Sequence, residues 1–152
     1  MSATPISERY HTVTPYLLVP AVGELVTFLE QAFGAEELLR LHREDGSIMH
    51  IEVRIGDSIV MLGEPMEPFG PMPASIYLSV EDCDPVYRQA LQAGATSIME
   101  PTDMIHAGER YGGVQDPSGN IWWVAMHIED LSPQEQAARI KAGMVPSIGD
   151  EG

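Results

Sequence analysis

An internal repeat constrains this chain more than any other feature. Tyr16-Leu17-x-Val19 recurs as Tyr77-Leu78-x-Val80, Gly34-Ala35 recurs as Gly94-Ala95, and Gly56 ahead of one apolar strand is matched by Gly119 ahead of another. The offset is about 60 residues each time, the size of a supersecondary unit rather than of a whole domain. The chain has 152 residues, so two such units fill it. That length corresponds to a single domain, 1–152, able to bury a core without disulfide or metal staples. Any fold for this sequence is built twice from the same parts.

The parts follow from periodicity. Thr12 to Val19 is β-rich, with Pro15 pushing it toward an edge or a strand start. Val22, Leu25, Val26, Leu29, Ala32 and Phe33 recur at helical steps, and Gly34 sits at the C-terminal cap. Glu37 to His42 reads as a strand. Ser47 to Ile55 alternates, with Met49, Ile51, Val53 and Ile55 on one face and His50, Glu52 and Arg54 on the other. After the turn at Gly56-Asp57, Ser58 to Leu62 is an apolar strand. Gly63 to Pro73 carries four prolines and reads as an irregular linker. The pattern then restarts. Ala74 to Val80 is a strand, and Asp82 or Asp84 caps a helix with Pro85 in its first turn and Gly94 at its end. A short strand, Thr96 to Met99, precedes a loop, Glu100 to Glu109. Strands Arg110 to Gln115 and Asn120 to His127 flank the turn Asp116-Pro117-Ser118-Gly119. Ser132-Pro133-Gln134-Glu135 is a capping box opening a last helix to about Ala142, and Pro146 to Gly152 is expected to be a loose tail.

The fold class expected is α+β: two tandem βαβββ modules forming a cup-shaped pair of curved sheets, plus a C-terminal helix. The boundaries are 12–63 for the first module, 64–73 for the proline-rich linker, 74–128 for the second module and 129–152 for the helix and tail. One helix covers one face of a four-stranded sheet. The open faces of two sheets side by side make a cup, and the polar members of each alternating strand line it.

Composition narrows the partners. Lys plus Arg is 8 against 23 Asp plus Glu, a formal net charge of -15. Such a surface repels phosphate backbones and anionic headgroups, so nucleic acid and membrane are excluded as partners. No apolar run reaches the roughly 18 residues of a membrane span. Met1 to His11 lacks the build of a signal peptide. Cys83 is the single cysteine, so neither an intrachain disulfide nor zinc-finger spacing exists, and a cytoplasmic location is expected. Glu24, Glu30, Glu36, Asp82 and Glu129 fall on helices and turns, so most of the charge is a solvating coat. Glu52 is the acid placed in the cup.

His50 and Glu52 are the candidates for chemistry. They stand two apart on one strand face, where a neutral imidazole beside a carboxylate can serve as a general base. The alternative is a solvated polar face in which Arg54 pairs Glu52. His127 is a second base or an alternative metal ligand, or else a strand-end residue bonded to the following chain. Arg110, near His106 and the glycine-containing loop, neutralises an anionic ligand or forms a surface ion pair. Cys83 opens a helix, where thiolate is favoured, but no His motif accompanies it.

At this length, two βαβββ units in tandem resemble the vicinal oxygen chelate superfamily of glyoxalase I, bleomycin- and fosfomycin-resistance proteins, extradiol dioxygenases and methylmalonyl-CoA epimerase. The segments Val13 to Leu17, Phe33 to Glu36, Met49 to Ser58, Tyr111 to Asn120 and Trp122 to Asp130 resemble its PhnB-like branch. Metal-dependent members hold their ion with His, Gln or Glu from the first and last strands of each half. The resemblance carries those positions onto Thr14, a residue within Val60 to Leu62, Ser75 and Trp123. None is a good ligand, so it implies a protein without a metal or other cofactor. If Thr14 and Ser75 face the cup, then Tyr16 and Tyr77 do too, and Trp123 brings His127 with it. The implied ligand-binding set is Tyr16, Tyr77, Arg110, Trp123 and His127, suited to an organic small molecule. Three functions are implied: metal-independent acid–base chemistry of isomerase or lyase type, non-catalytic sequestration of a toxic or antibiotic compound, or a metal enzyme with a relocated site. The resemblance also implies a homodimer.

Overall fold

The computed structural model describes residue 5 and residues 7–147. Residues 148–152 of the expected tail, and residues 1–4 and 6 of the polar N-terminal stretch, lie outside the described residues. The chain divides into two compact units, Met1–Ala74 and Ser75–Gly152. The first holds β1 (Tyr16–Leu18), α1 (Val22–Phe33), β2 (Glu36–His42), β3 (Ile48–Ile55) and β4 (Ser58–Gly63). The second holds β5 (Ser75–Ser79), α2 (Cys83–Gln92), β6 (Thr96–Met104), β7 (Glu109–Gln115), β8 (Ile121–His127) and then α3 (Pro133–Lys141). Strand order is β1-β4-β3-β2 in one sheet and β5-β8-β7-β6 in the other. In each unit the first strand runs parallel to the last, and the remaining pairs are antiparallel. The α+β class, the tandem βαβββ modules and the C-terminal helix are thus present.

Each sheet buries one face under its own helix. In the first unit, Val22, Leu25, Val26, Phe28, Leu29 and Ala32 of α1 are buried, as are Leu17, Ile51, Val53 and Leu62 of the sheet. Burying each large aliphatic side chain contributes roughly 1.5–3 kcal/mol. Gly34, at φ 67, ends α1 where a side chain would be strained. In the second unit Cys83, Tyr87 and Ala90 of α2 are buried with Val114, Trp122 and Val124.

The turn between β7 and β8 is organised by a buried carboxylate. Asp116 is 4% exposed and accepts hydrogen bonds from the Ser118 and Asn120 N–H groups, from Asn120 Nδ2 and from Trp122 Nε1. The residues Asp116, Asn120 and Trp122 are therefore one structural device, and it fixes which way the two adjacent tryptophans face.

Several elements differ from the sequence reading. β6 runs through Pro101 to Met104, where a short strand and a long loop were expected. It is an edge strand, with register shifts on both sides of Met99, so the missing proline N–H costs no ladder bond. β1 is only three residues long. The proline-rich stretch is not wholly irregular: Leu18 bridges Met72, and Met66 bridges Phe69. Met49, expected on the apolar face, is 45% exposed, because the β3–β4 pairing ends at Ile51 and Leu62. Arg54 does not pair Glu52. It stands opposite Glu36 in the β2–β3 register, 3.9 Å from that carboxylate. No helix among the described residues is long and apolar enough to cross a membrane.

Candidate functional site

The face of the first sheet turned away from α1 is built around Glu52. Alternation on β3 sends Ile51, Val53 and Ile55 into the core and His50, Glu52 and Arg54 to the other side. Glu52 is only 3% exposed. A carboxylate so placed needs partners, and it has three. Arg9 Nη2 meets Oε1, Tyr10 Oη donates to Oε2 at 2.6 Å, and His50 Nε2 stands 2.8 Å from Oε2. Burial pushes the Glu52 carboxyl up, but hydrogen bonds from Tyr10 and His50 and the charge of Arg9 outweigh it and hold the carboxyl below its ordinary value. The same hydrogen bond raises the Tyr10 phenol. An ionised Glu52 accepts the His50 Nε2 proton and leaves Nδ1 as the ring's lone-pair nitrogen, which is the arrangement of a carboxylate-oriented base. Tyr16 packs edge-on against His50 at 5.8 Å. Gly63 permits this closeness, since a Cβ there would lie 2.7 Å from Met49 O and 3.2 Å from Tyr16 Oη.

The corresponding face of the second sheet is aromatic. Tyr77 on β5 pairs with Trp123 on β8, and Trp123 pairs with Gly113 on β7. Tyr111 stands edge-on to Tyr77 at 5.9 Å and to Trp123 at 5.8 Å. The polar ends of two of these rings are tied down. Trp123 Nε1 donates to Ser75 Oγ at 2.9 Å, and Tyr77 Oη donates to Glu109 Oε1 at 3.1 Å. Burial, with the bond to Glu109 next, raises the Tyr77 phenol. Glu109 Oε2 also lies 2.8 Å from His127 Nδ1, while His127 Nε2 meets Asp130 at 2.6 Å. Hydrogen bonds to Asp130 and Glu109 raise the His127 pKa and favour the imidazolium.

The residues singled out from sequence thus fall into separate groups. His50, Glu52 and Tyr16 are together in the first unit. Tyr77, Trp123 and His127 share one face of the second. Arg110 joins neither: it lies on the α2 side, with Nε and Nη2 on the two Asp84 oxygens at 2.8 and 2.9 Å and Nη1 on Asp103 at 3.0 Å. The Arg110 guanidinium holds Asp84 down to about 2. Asp82, not Asp84, is the N-cap residue of α2, and its side chain makes no cap hydrogen bond. Cys83 is buried, and burial with a hydrogen bond to Asp84 pushes its thiol up to about 11, the reverse of an activated thiolate. The sequence reading missed Arg9 and Tyr10, which reach Glu52 from 43 and 42 residues away, a distance no local pattern encodes. It also missed Glu109 and Gly113. Glu109 was assigned to a loop, but it is the first residue of β7 and shares a face with Tyr111. The adjacent pair Gly112-Gly113 inside a strand was the available signal for close approach.

The four positions that would carry a metal can now be tested. Tyr16 pairs Met61 as Tyr77 pairs Trp123, so the unresolved position within Val60 to Leu62 is Met61. The set is Thr14, Met61, Ser75 and Trp123. It contains no imidazole or carboxylate, and the Ser75 hydroxyl is already occupied by the indole N–H. These residues do not fit a divalent ion. Among the described residues, no group of three or more His, Cys, Asp or Glu side chains is arranged to hold one.

Known proteins match this chain along most of its length. The sequence model described as Glyoxalase/Bleomycin resistance protein/Dioxygenase superfamily matches residues 9–124. An uncharacterized protein of Mycobacterium bovis is 34% identical over 143 residues, covering 86% of this chain and 93% of its own. Among solved structures, TioX from Micromonospora sp. ML1 aligns with a TM-score of 0.64 at 24% identity, over 80% of this chain and 100% of that one. TnmS3, an antibiotic binding protein from Streptomyces sp. CB03234, aligns with a TM-score of 0.62 at 17% identity, over 84% and 100%. At these identities the structural likenesses show the fold.

Proposed function

Given that the chain belongs to the glyoxalase/bleomycin resistance protein/dioxygenase superfamily, we propose that it binds a small organic molecule with a planar aromatic ring, stacked on the open face of the β5–β8 sheet. The observation that carries this reading is the contiguous ring set Tyr77, Tyr111 and Trp123, in which the Tyr77 hydroxyl and the Trp123 N–H are already satisfied by Glu109 and Ser75. Such a face offers mainly π surface, and stacking contributes about 0.5–1.5 kcal/mol per ring pair beyond area burial. The antibiotic-binding neighbour TnmS3 supports sequestration as the purpose of such binding.

Titration with planar dyes such as acridine orange and riboflavin tests it. Trp122 is fully buried and bonded to Asp116, so Trp123 is the indole on which a dye can stack, and saturable quenching of tryptophan emission reads dye binding. Trp123→Leu should remove the saturable signal and weaken dye binding. Undiminished affinity in that variant would sink the proposal.

A second reading rests on the His50–Glu52 pair. With Glu52 ionised, His50 Nδ1 can take a proton from a carbon acid and return it elsewhere, an isomerase- or lyase-type step without a metal. His50→Ala should then abolish turnover of a substrate once one is found. Ligand bound and released with no product favours sequestration, and product accumulating over time refutes it. We further propose a cytoplasmic location, supported by a single cysteine that is buried, and a homodimer, supported by the family. Light scattering at monomer mass would overturn the dimer.

A further inference from the structure

Two small residues hold the indole of Trp123 from opposite ends. On the β5 side, Nε1 donates to Ser75 Oγ at 2.9 Å. On the β7 side the six-membered ring lies over Gly113, where a Cβ would come within 2.7 Å of Cζ3, 2.9 Å of Cε3 and 3.4 Å of Cη2. The indole therefore spans its own strand, anchored on one neighbour by a hydrogen bond and seated on the other where no side chain exists. Gly112, one residue earlier, faces the other way, and a Cβ there would crowd Tyr87 of α2 at 3.0 Å and Met99 O at 3.1 Å. The two glycines open opposite faces of β7, one for the core and one for Trp123.

We propose that Ser75 and Gly113 are positioning residues that preset Trp123 as a stacking shelf before any ligand arrives. The inference rests on the stacking reading above and adds how the shelf is made. A free indole on a solvent-facing strand samples several rotamers and loses that freedom on binding. One tied at both ends has lost it on folding. The tie also sets ligand class. With its N–H consumed, the indole recognises a flat ring by its π face and cannot donate to a ligand oxygen. Ser75 and Trp123 are two of the positions at which metal-dependent relatives would bind their ion, so here the metal corner has become a hydrogen-bonded aromatic surface. In the first unit Met61 stands at the register of Trp123.

The test compares Ser75→Ala, Ser75→Thr and Gly113→Ala with the wild-type chain. In ligand-free protein, near-UV circular dichroism reads indole fixation and acrylamide quenching reads its shielding. Acridine orange affinity is measured alongside. Ser75→Ala should keep the far-UV spectrum, lose indole near-UV intensity, raise quenching and weaken acridine orange about fivefold, the loss expected for one net hydrogen bond. Ser75→Thr keeps the hydroxyl and should restore all three. Gly113→Ala should displace the ring further, and if it fails to fold, the Ser75 pair decides alone. Unchanged near-UV intensity and affinity in Ser75→Ala would overturn the proposal. If acridine orange and other planar dyes do not bind the wild-type chain, the stacking reading fails, and the ligand-free spectra alone still decide whether Ser75 positions the indole.

Discussion

The two sheets share strand order and connectivity, yet their open faces are made of opposite materials. On the first, a carboxylate 3% exposed is satisfied by Arg9, Tyr10 and His50, two of which come from the chain ahead of β1. On the second, three rings pack edge to face, with Trp123 tied to Ser75 and Tyr77 to Glu109. The helix-facing residues of the two sheets are alike because both must bury an apolar face. The other face alternates independently of it. One repeated scaffold can therefore carry an ionic cluster in one copy and an aromatic wall in the other with no change in topology.

The corresponding turns make the sharpest contrast. Asp116, before β8, is buried under four donors, whereas Asp57, before β4, is exposed and accepts from the neighbouring Ser58 hydroxyl at 3.0 Å. Asp116→Ala removes the buried acceptor shared by the Trp122 and Asn120 side-chain donors. It should destabilise the chain by about 3–5 kcal/mol, the scale for removing a buried charged acceptor. Asp57→Ala should change stability by less than about 0.5 kcal/mol. Urea unfolding of both variants checks this, and equal effects would break the contrast between the turns.

Glu52 comes next. Glu52→Ala leaves the His50 ring and the Tyr10 hydroxyl without their shared acceptor and should cost roughly 2–3 kcal/mol. It should also release the segment around Arg9, which trypsin then cleaves faster. Stability lost without any gain in cleavage at Arg9 would mean the segment is held by other contacts.

How far the sequence announced these faces depends on the range of the contacts. Strand alternation over Met49 to Ile55 places His50 and Glu52 on one side from sequence alone, since side-chain direction in a strand is a local property. The three- and four-residue spacing from Val22 to Ala32 likewise reveals α1, and the capping box at Ser132 to Glu135 reveals the start of α3. The partners of Glu52 were not legible, because Arg9 and Tyr10 meet it through the fold and carry no periodicity. The β6 misreading has a different cause. The sequence reading put Glu100 to Glu109 in a loop, but a proline such as Pro101 is tolerated on an edge strand, and edge position is a tertiary fact. Asp116 looked like an ordinary turn residue. Its burial follows from the Trp122 and Asn120 side chains closing over it, which spacing alone does not show.

The two faces should also respond to pH with opposite signs. Glu52 is held below its ordinary 4.5. Its contribution is therefore full above 4.5 and is lost as pH falls through the lower folded value. His127 is raised above 6.5. Its contribution is full below 6.5 and is lost as pH rises through the higher folded value. Glu52→Gln should flatten the acid limb of stability against pH, and His127→Gln the smaller alkaline limb of this exposed network. Either substitution flattening the limb assigned to the other would reverse the comparison.

The smallest expected effect separates two arginines of the first unit. Sequence spacing offered Arg54 as an alternative partner for Glu52, but the fold gives Glu52 to Arg9 and leaves Arg54 at 3.9 Å from Glu36, with side-chain exposures of 45% and 70%. An ion pair so long and so solvated contributes little. Arg54→Ala should shift the urea midpoint by less than about 0.5 kcal/mol equivalent, with no change in the acid limb. Arg9→Ala should cost more, because its carboxylate partner is buried, and should move the acid limb toward higher pH as Glu52 loses the neighbouring charge that lowers its pKa. If the two variants instead behave alike, Tyr10 and His50 alone satisfy Glu52, and the N-terminal segment is fastened by its tyrosine rather than by its charge.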